Sequence, residues 1–166
     1  MTNKIILRAI LNCKDHVFRD ISIAESENLE ELHAQICHAY NLEIGQMASF
    51  YQTNKEWVQL NEIPLMSMDQ TRSKSMNNYS CLEMLNKHGD RLIFIYDFLE
   101  MWTFMIEFIK HDKESTSKSR VVLKYGERPL EAPDPEFEGE GGDFSEKSEE
   151  EENYDIDNDE FNNDLA

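Results

Sequence analysis

Charge divides this chain into two unequal parts, and the division limits which region can fold. Residues 127–166 hold 17 acidic residues against two basic ones, which accounts for −15 of the net charge of −18. Residues 1–126 hold 17 acidic and 14 basic residues, a net charge of −3. A segment with so much like charge and so little apolar surface cannot offset the entropy lost on ordering. We therefore expect one domain over residues 1–126 and a disordered acidic tail over residues 127–166.

The beginning of the domain shows the period-two alternation of β-strands. Residues 4–11 and 17–23 both follow it, and the turn-forming residues between them predict a hairpin. Asn28 followed by Glu31 is a capping-box signature, so a helix should begin here. Its apolar face repeats at three- and four-residue spacing: Leu29, Leu32, Ile36, Ala39 and Tyr40.

The remaining elements are shorter. A second capping-box pair, Ser80 and Glu83, predicts a helix over about residues 81–88. The most strand-like segments of the chain form a central hairpin that reverses near Leu99–Glu100. Its two strands are predicted at residues 91–98 and 101–109, further strands at 48–52, 57–60 and 121–125, and loops at 61–78 and 111–119. The whole pattern predicts an α+β fold: a mixed, mostly antiparallel sheet that starts β-β-α, with one or two packed helices.

Several classes of function are disfavoured by composition. The basic residues do not cluster, so we expect no direct nucleic-acid binding, and acidic residues interrupt the only apolar run long enough to suggest a membrane span. The N-terminus runs directly into a strand pattern, which favours a cytoplasmic protein without a signal peptide. Cys13, Cys37 and Cys81 form no paired motif and are expected to be reduced packing residues.

The sequence contains only incomplete motifs for a metal site. His33 and Cys37 lie four residues apart on the first helix, but two ligands do not make a site, and both fit ordinary packing. Asp155, Asp157 and Asp159 match the start of a calcium loop, whereas Glu160 stands where the loop needs glycine. We expect no metal site and no cofactor.

Three strings resemble a known family: Leu32–Tyr40, Met47–Phe50 and, above all, Tyr96–Trp102. They are similar to the plasmid pRiA open-reading-frame-three-like family, whose members are also described as passenger proteins of transposable elements. The resemblance covers roughly residues 4–142. It implies an α+β fold without an established biochemical role.

The family pattern at the hairpin reads Tyr-Asp-Phe-Gly-Asp, then Trp after one residue and His two residues later. Tyr96, Asp97, Phe98 and Trp102 keep this pattern. The departures from it are Leu99 for the glycine, Glu100 for the aspartate and Phe104 for the histidine. The resemblance therefore implies that any activity of the family could be lost in this chain.

Two hypotheses of function follow. The first is an interaction protein without enzymatic activity, in which an aromatic hairpin binds through Tyr96, Phe98, Trp102 and Phe104. The acidic tail, which also carries aromatic residues, would attract a basic protein partner.

The second hypothesis is an enzyme, hydrolytic or degenerate, in which burial beside Trp102 activates Asp97 and Glu100 for acid–base chemistry. A structural role for an aspartate in a hairpin turn is the commoner case, so we prefer the first hypothesis. The sequence does not indicate the oligomeric state.

Overall fold

A computed structural model describes residues 2–66, 74–114 and 118–133. They belong to one compact unit, Met1–Pro133, and a second unit comprises Asp134–Ala166. The predicted disordered tail, residues 127–166, overlaps the described residues only at 127–133, where Arg128 donates a hydrogen bond to the Tyr40 carbonyl. Residues 134–166 of this prediction and the incomplete calcium loop lie outside the described residues. No helix in the described part of the chain is long and apolar enough to cross a membrane.

The described residues form one large sheet with little helix. The strands are β1 (Thr2–Leu11), β2 (Phe18–Ala24), β3 (Ala48–Thr53), β4 (Gln59–Pro64), β5 (Arg91–Tyr96), β6 (Trp102–Glu114) and β7 (Arg120–Tyr125). The helices are α1 (Leu29–Ala39) and α2 (Cys81–Met84), with a 3₁₀ turn at Met76–Asn78. The order β1–β2–α1 confirms the predicted β-β-α start.

The seven strands lie in the order β4-β3-β5-β6-β1-β2-β7. Neighbouring strands all pair antiparallel, so the expectation of a mixed sheet is corrected to an antiparallel one within the described residues. Hairpins make three of these pairs, and the central pair β1–β6 joins residues about a hundred positions apart in the chain. The sheet therefore depends on pairing between distant segments.

Helix α1 packs its apolar face onto the sheet. The Asn28 side chain accepts a hydrogen bond from the Glu31 amide at 2.9 Å, which confirms the predicted start of the helix. An aromatic series lies at this contact, with ring centroids separated by 4.7 Å for Tyr40–Phe104, 5.9 Å for Phe104–Phe94 and 4.8 Å for Phe94–Phe50. These rings are almost completely buried and form the centre of the core.

Three predicted elements have different bounds. The strand expected at 57–60 occupies Gln59–Pro64 instead, because Trp57 has a φ of 64° in a turn where the Asn54 side chain accepts from two backbone amides. Proline fits here because β4 is an edge strand and Pro64 is its last residue. Strand β6 continues through residues 110–114, although residues 111–114 were expected in a loop, because β1 pairs with this stretch. Helix α2 is a single turn, with the predicted capping box at Ser80.

Arg19 connects the end of α1 to strands β2 and β7. Its side chain is 3% exposed, and its Nη1 donates to the carbonyl groups of Phe18, Tyr125 and Gly126 at 2.9 to 3.1 Å. The Nε atom lies 3.3 Å from the Ala39 carbonyl oxygen, at the C-terminal end of the helix. A cation is favoured at this end of a helix because the unpaired carbonyl groups carry partial negative charge.

Gly126, beside the Arg19 contact, is expected to be intolerant of a side chain. It has a φ of 80°, and an added Cβ would lie 2.4 Å from the His16 carbonyl oxygen. Gly89 also has a positive φ, of 100°, but a Cβ there would meet no atom within 4 Å. Gly89→Ala should thus cost about 1 kcal/mol of unfolding free energy, for the backbone conformation alone. Gly126→Ala should cost about 2 kcal/mol or more, since the backbone must also move. Urea unfolding of both variants measures the difference, and equal losses would contradict this packing.

Candidate functional site

The turn between β5 and β6 is the position that the sequence singled out. Its residues Asp97 and Met101 have positive φ angles of 63° and 60°, a conformation that is uncommon outside glycine. The Asp97 carboxylate accepts from the Leu99 amide at 3.1 Å, and the Asp97 carbonyl accepts from the Met101 amide at 2.6 Å. Asp97 therefore organises the turn, because aspartate tolerates this conformation and bonds its own backbone.

The predicted aromatic binding residues divide between the core and the surface. Tyr96 and Trp102 are each 4% exposed, and Phe104 is completely buried, whereas Phe98 is 40% exposed. The Tyr96 hydroxyl donates to the Glu43 carbonyl, and burial raises the pKa of this tyrosine. The structure thus buries three of the four aromatic side chains in the interior of the domain. Of the four, only Phe98 is exposed enough to contact a ligand.

Other apolar residues at this turn are exposed, and we call them the apolar turn surface: Ile44, Met47, Phe98, Leu99 and Met101. Leu99 is 94% exposed and Ile44 is 62% exposed. The two segments are joined where the Asp97 amide donates to the Met47 carbonyl at 2.7 Å. Sequence reasoning missed four of these five residues. The sequence feature that could have identified some of them is the run of apolar residues in the turn after β5, because turns usually consist of polar residues.

Acidic residues accompany this surface. Glu43 and Glu100 are exposed, and Asp97 lies between Phe98 and the strand. A cationic side chain, Arg128, also lies near the turn: its guanidinium is 5.0 Å from the Trp102 ring centre, and its Nε donates to the Tyr40 carbonyl at 2.7 Å. Within the described residues the turn is therefore an apolar surface beside acidic groups.

Arg128 also fixes the position of the last described segment. Its Nη2 lies 3.4 Å from the Asn41 carbonyl oxygen, so residue 128 is fixed between the end of α1 and Trp102. Pro133, the last described residue, is five positions farther along and so no more than about 18 Å away. The described chain therefore ends within about 18 Å of residue 128, which lies beside Trp102.

A cavity of about 460 Å³ opens between the start of α1 and two loops. Its acidic side contains Glu27, Glu30 and Glu31, and its apolar side contains Ile44, Leu65 and Met66. The other residues that line it are Asn28, His33, Ala34 and Gly45. Neither Asp97 nor Glu100 lines this cavity, so the two carboxylates suggested for catalysis are not brought together in it.

His33 lies at the inner end of this cavity. It is 2% exposed, its ring lies 5.8 Å from the Phe94 ring, and its Nε2 has no hydrogen-bond partner among the described residues. Burial lowers the pKa of His33 because a charged ring would lose its hydration, and the nearby Glu30 only partly opposes this effect. His33 is therefore a neutral core residue at neutral pH.

The described part of the chain offers few groups for thiol or metal chemistry. Cys37 and Cys81 are buried, and burial raises the pKa of each thiol to about 12. Cys13 is half-buried, and its thiol donates to the Asp15 carbonyl at 3.3 Å. No three His, Cys, Asp or Glu side chains of the described residues converge in a way that could hold a metal ion.

Comparisons with known proteins agree with this fold. A model of the plasmid pRiA4b ORF-3-like protein family matches residues 4–159. The crystal structure of MM3350, a protein of unknown function from Methanosarcina mazei Go1, is similar with a TM-score of 0.64 and 16% sequence identity, over 75% of this chain and 70% of that chain. No curated protein matches this chain. The structural likeness, at this identity, shows the fold alone.

Thiol labelling checks the burial of the cysteines. Iodoacetamide at pH 8 should modify only Cys13 in the native protein, because the other two thiols are buried and stay protonated. Mass spectrometry should show one adduct per native chain and three after unfolding in urea. In the Cys13→Ser variant these numbers should fall to none and two. Rapid native labelling of Cys37 or Cys81 would contradict their placement in the core.

His33 should make the domain less stable in mild acid. Its folded pKa lies below the unfolded value of about 6.5, so the unfolded chain takes up a proton that the folded chain excludes. The unfolding free energy contributed by this group therefore decreases as pH falls below about 6.5. Urea unfolding at pH 7.5 and 5.5 should show a smaller decrease for His33→Leu than for the original chain. An equal decrease would show that another group is responsible.

Proposed function

We propose a protein-binding role for this chain, which belongs to the plasmid pRiA4b ORF-3-like protein family. The observation that carries the proposal is the exposure of the apolar turn surface, with Leu99 94% exposed. Water contact with a contiguous apolar surface is unfavourable, and such surfaces commonly mark sites of association. The hydrogen bonds around Asp97 hold the surface in one conformation, which lowers the entropy lost on binding.

The charge of the chain supports a basic partner. Glu43, Asp97 and Glu100 accompany the apolar turn surface, and the strongly acidic residues 134–166 follow the last described residue. Complementary charge accelerates association and selects partners, whereas apolar contact supplies more of the affinity. The fitting partner is therefore a protein that presents basic residues around an apolar group.

An enzymatic role at the same turn has less support. The Asp97 carboxylate accepts from backbone amides and Glu100 is exposed, so the two groups are not directed toward one buried reaction site. Acid–base catalysis needs carboxylates within hydrogen-bond reach of a bound substrate. A degenerate enzyme remains the alternative reading of the family resemblance, and the protein-binding role rests on more observations.

Replacement of Leu99 tests the proposal. Leu99→Ser should leave the domain folded, because this side chain packs against almost nothing. Loss of one central apolar contact costs about 1 kcal/mol, or roughly fivefold in dissociation constant. The full-length protein, immobilised and exposed to a cell lysate, should capture basic proteins that the variant recovers about fivefold less well. Mass spectrometry with isotopic labels measures the ratio for each captured protein.

Leu60→Ser is the matched control, since Leu60 is 53% exposed on β4 and lies outside the apolar turn surface. It should capture the same proteins as the original chain. A second variant, in which Glu149–Glu152 are all replaced by Gln, should weaken capture mainly at low salt, where unscreened charge matters. Equal recovery by Leu99→Ser and Leu60→Ser would remove the apolar turn surface from the binding mechanism.

A further inference from the structure

We infer that the cavity beside α1 receives a lysine or arginine side chain of the basic protein partner. This inference rests on the proposed protein-binding role and assigns a chemical class of contact to a second part of the surface. A volume of about 460 Å³ lies within the range of binding clefts, roughly 300–1,000 Å³. The cavity also has the two kinds of wall that a long cationic side chain requires.

The acidic wall lies at the first turn of α1. Glu30 and Glu31 belong to this turn and Glu27 precedes it, and all three acidic residues line the cavity. The Gln35 side chain donates to the Glu31 carboxylate at 3.0 Å and fixes it in position. This wall complements an ammonium or guanidinium group.

The apolar wall comes from the loops that follow α1 and β4. Ile44 and Met66 are 62% and 57% exposed, and Leu65 is half-buried between them and the core. Lysine and arginine cover apolar surface with their methylene stems while the charged end reaches a polar environment. A basic side chain can therefore contact both walls at once, whereas a purely apolar group satisfies only the apolar wall and an anion satisfies neither.

The position of the cavity connects it to the apolar turn surface. Ile44 belongs to both, and Met47, three residues later, bonds the Asp97 amide through its carbonyl. One partner that presents an apolar group beside a basic one could thus occupy the turn and the cavity together. His33, whose buried Nε2 has no hydrogen-bond partner among the described residues, also lines the cavity, and a neutral ring there does not repel a cation.

Titration with a small cation tests this inference without any protein partner. Amide chemical shifts of the ¹⁵N-labelled full chain would be followed during addition of n-butylammonium, which imitates a lysine side chain, and of 1-butanol, its uncharged counterpart. We expect shifts at Glu30, Glu31, Ala34 and Gly45, with butylammonium binding at least fivefold more tightly than 1-butanol. This ratio corresponds to an ion-pair contribution of about 1 kcal/mol.

Charge-neutral variants identify the responsible carboxylates. Glu30→Gln/Glu31→Gln should remove the preference for butylammonium and leave the binding of 1-butanol unchanged. Glu56→Gln/Glu127→Gln removes two exposed acidic groups elsewhere and should keep the preference. Equal binding of both probes, or a preference that survives in the first double variant, would overturn the inference. Loss of capture by Leu99→Ser is measured separately, so failure of the cavity and failure of the apolar turn surface are distinguishable.

Discussion

The buried guanidinium of Arg19 is the interaction on which the rest of the domain depends. A charge inside a protein is tolerated only when its hydrogen bonds are made, and this one is bonded to carbonyl groups of β2, α1 and β7 and stacks at 4.6 Å on the Tyr40 ring. It thereby fixes the end of the helix against the last strand. Arg128, two residues after Gly126, donates a hydrogen bond to the carbonyl of Tyr40, the residue that follows Ala39 at the end of α1. Two arginines thus join the helix terminus to the last described segment.

This arrangement explains why the apolar turn surface is held in place. The β5–β6 pairing ends at Tyr96 and Trp102, both of which are buried, and Tyr96 bonds the Glu43 carbonyl while Trp102 lies beneath Arg128. The loop after α1 and the turn after β5 are consequently attached to the same core. Hydrogen bonds to backbone groups hold the loop and the turn in position. The apolar side chains of the turn remain exposed to solvent or to a partner.

Local sequence patterns predicted what local interactions determine. The strand alternation, the cap at Asn28 and the capping box at Ser80 are short-range signals, and each lies where it was expected. The extension of β6 to Glu114 depends on pairing with β1, far away in the chain, and no local pattern shows it. The burial of predicted binding residues has the same origin: Tyr96, Trp102 and Phe104 have the side chains of a binding surface, but the tertiary structure covers them. The exposure of Leu99 likewise depends on what the tertiary structure leaves uncovered.

One detail of the turn bears on how relatives of this protein can diverge. The family pattern places glycine at position 99, yet the positive φ angles of this turn belong to Asp97 and Met101, so the backbone does not require glycine there. Leucine at this position is compatible with the same turn, and selection for folding does not constrain the choice. Under the proposed protein-binding role, variation at position 99 among homologues would change the side chain offered to a partner and leave the backbone of the turn as it is, which makes this single codon a natural place for new specificities to arise.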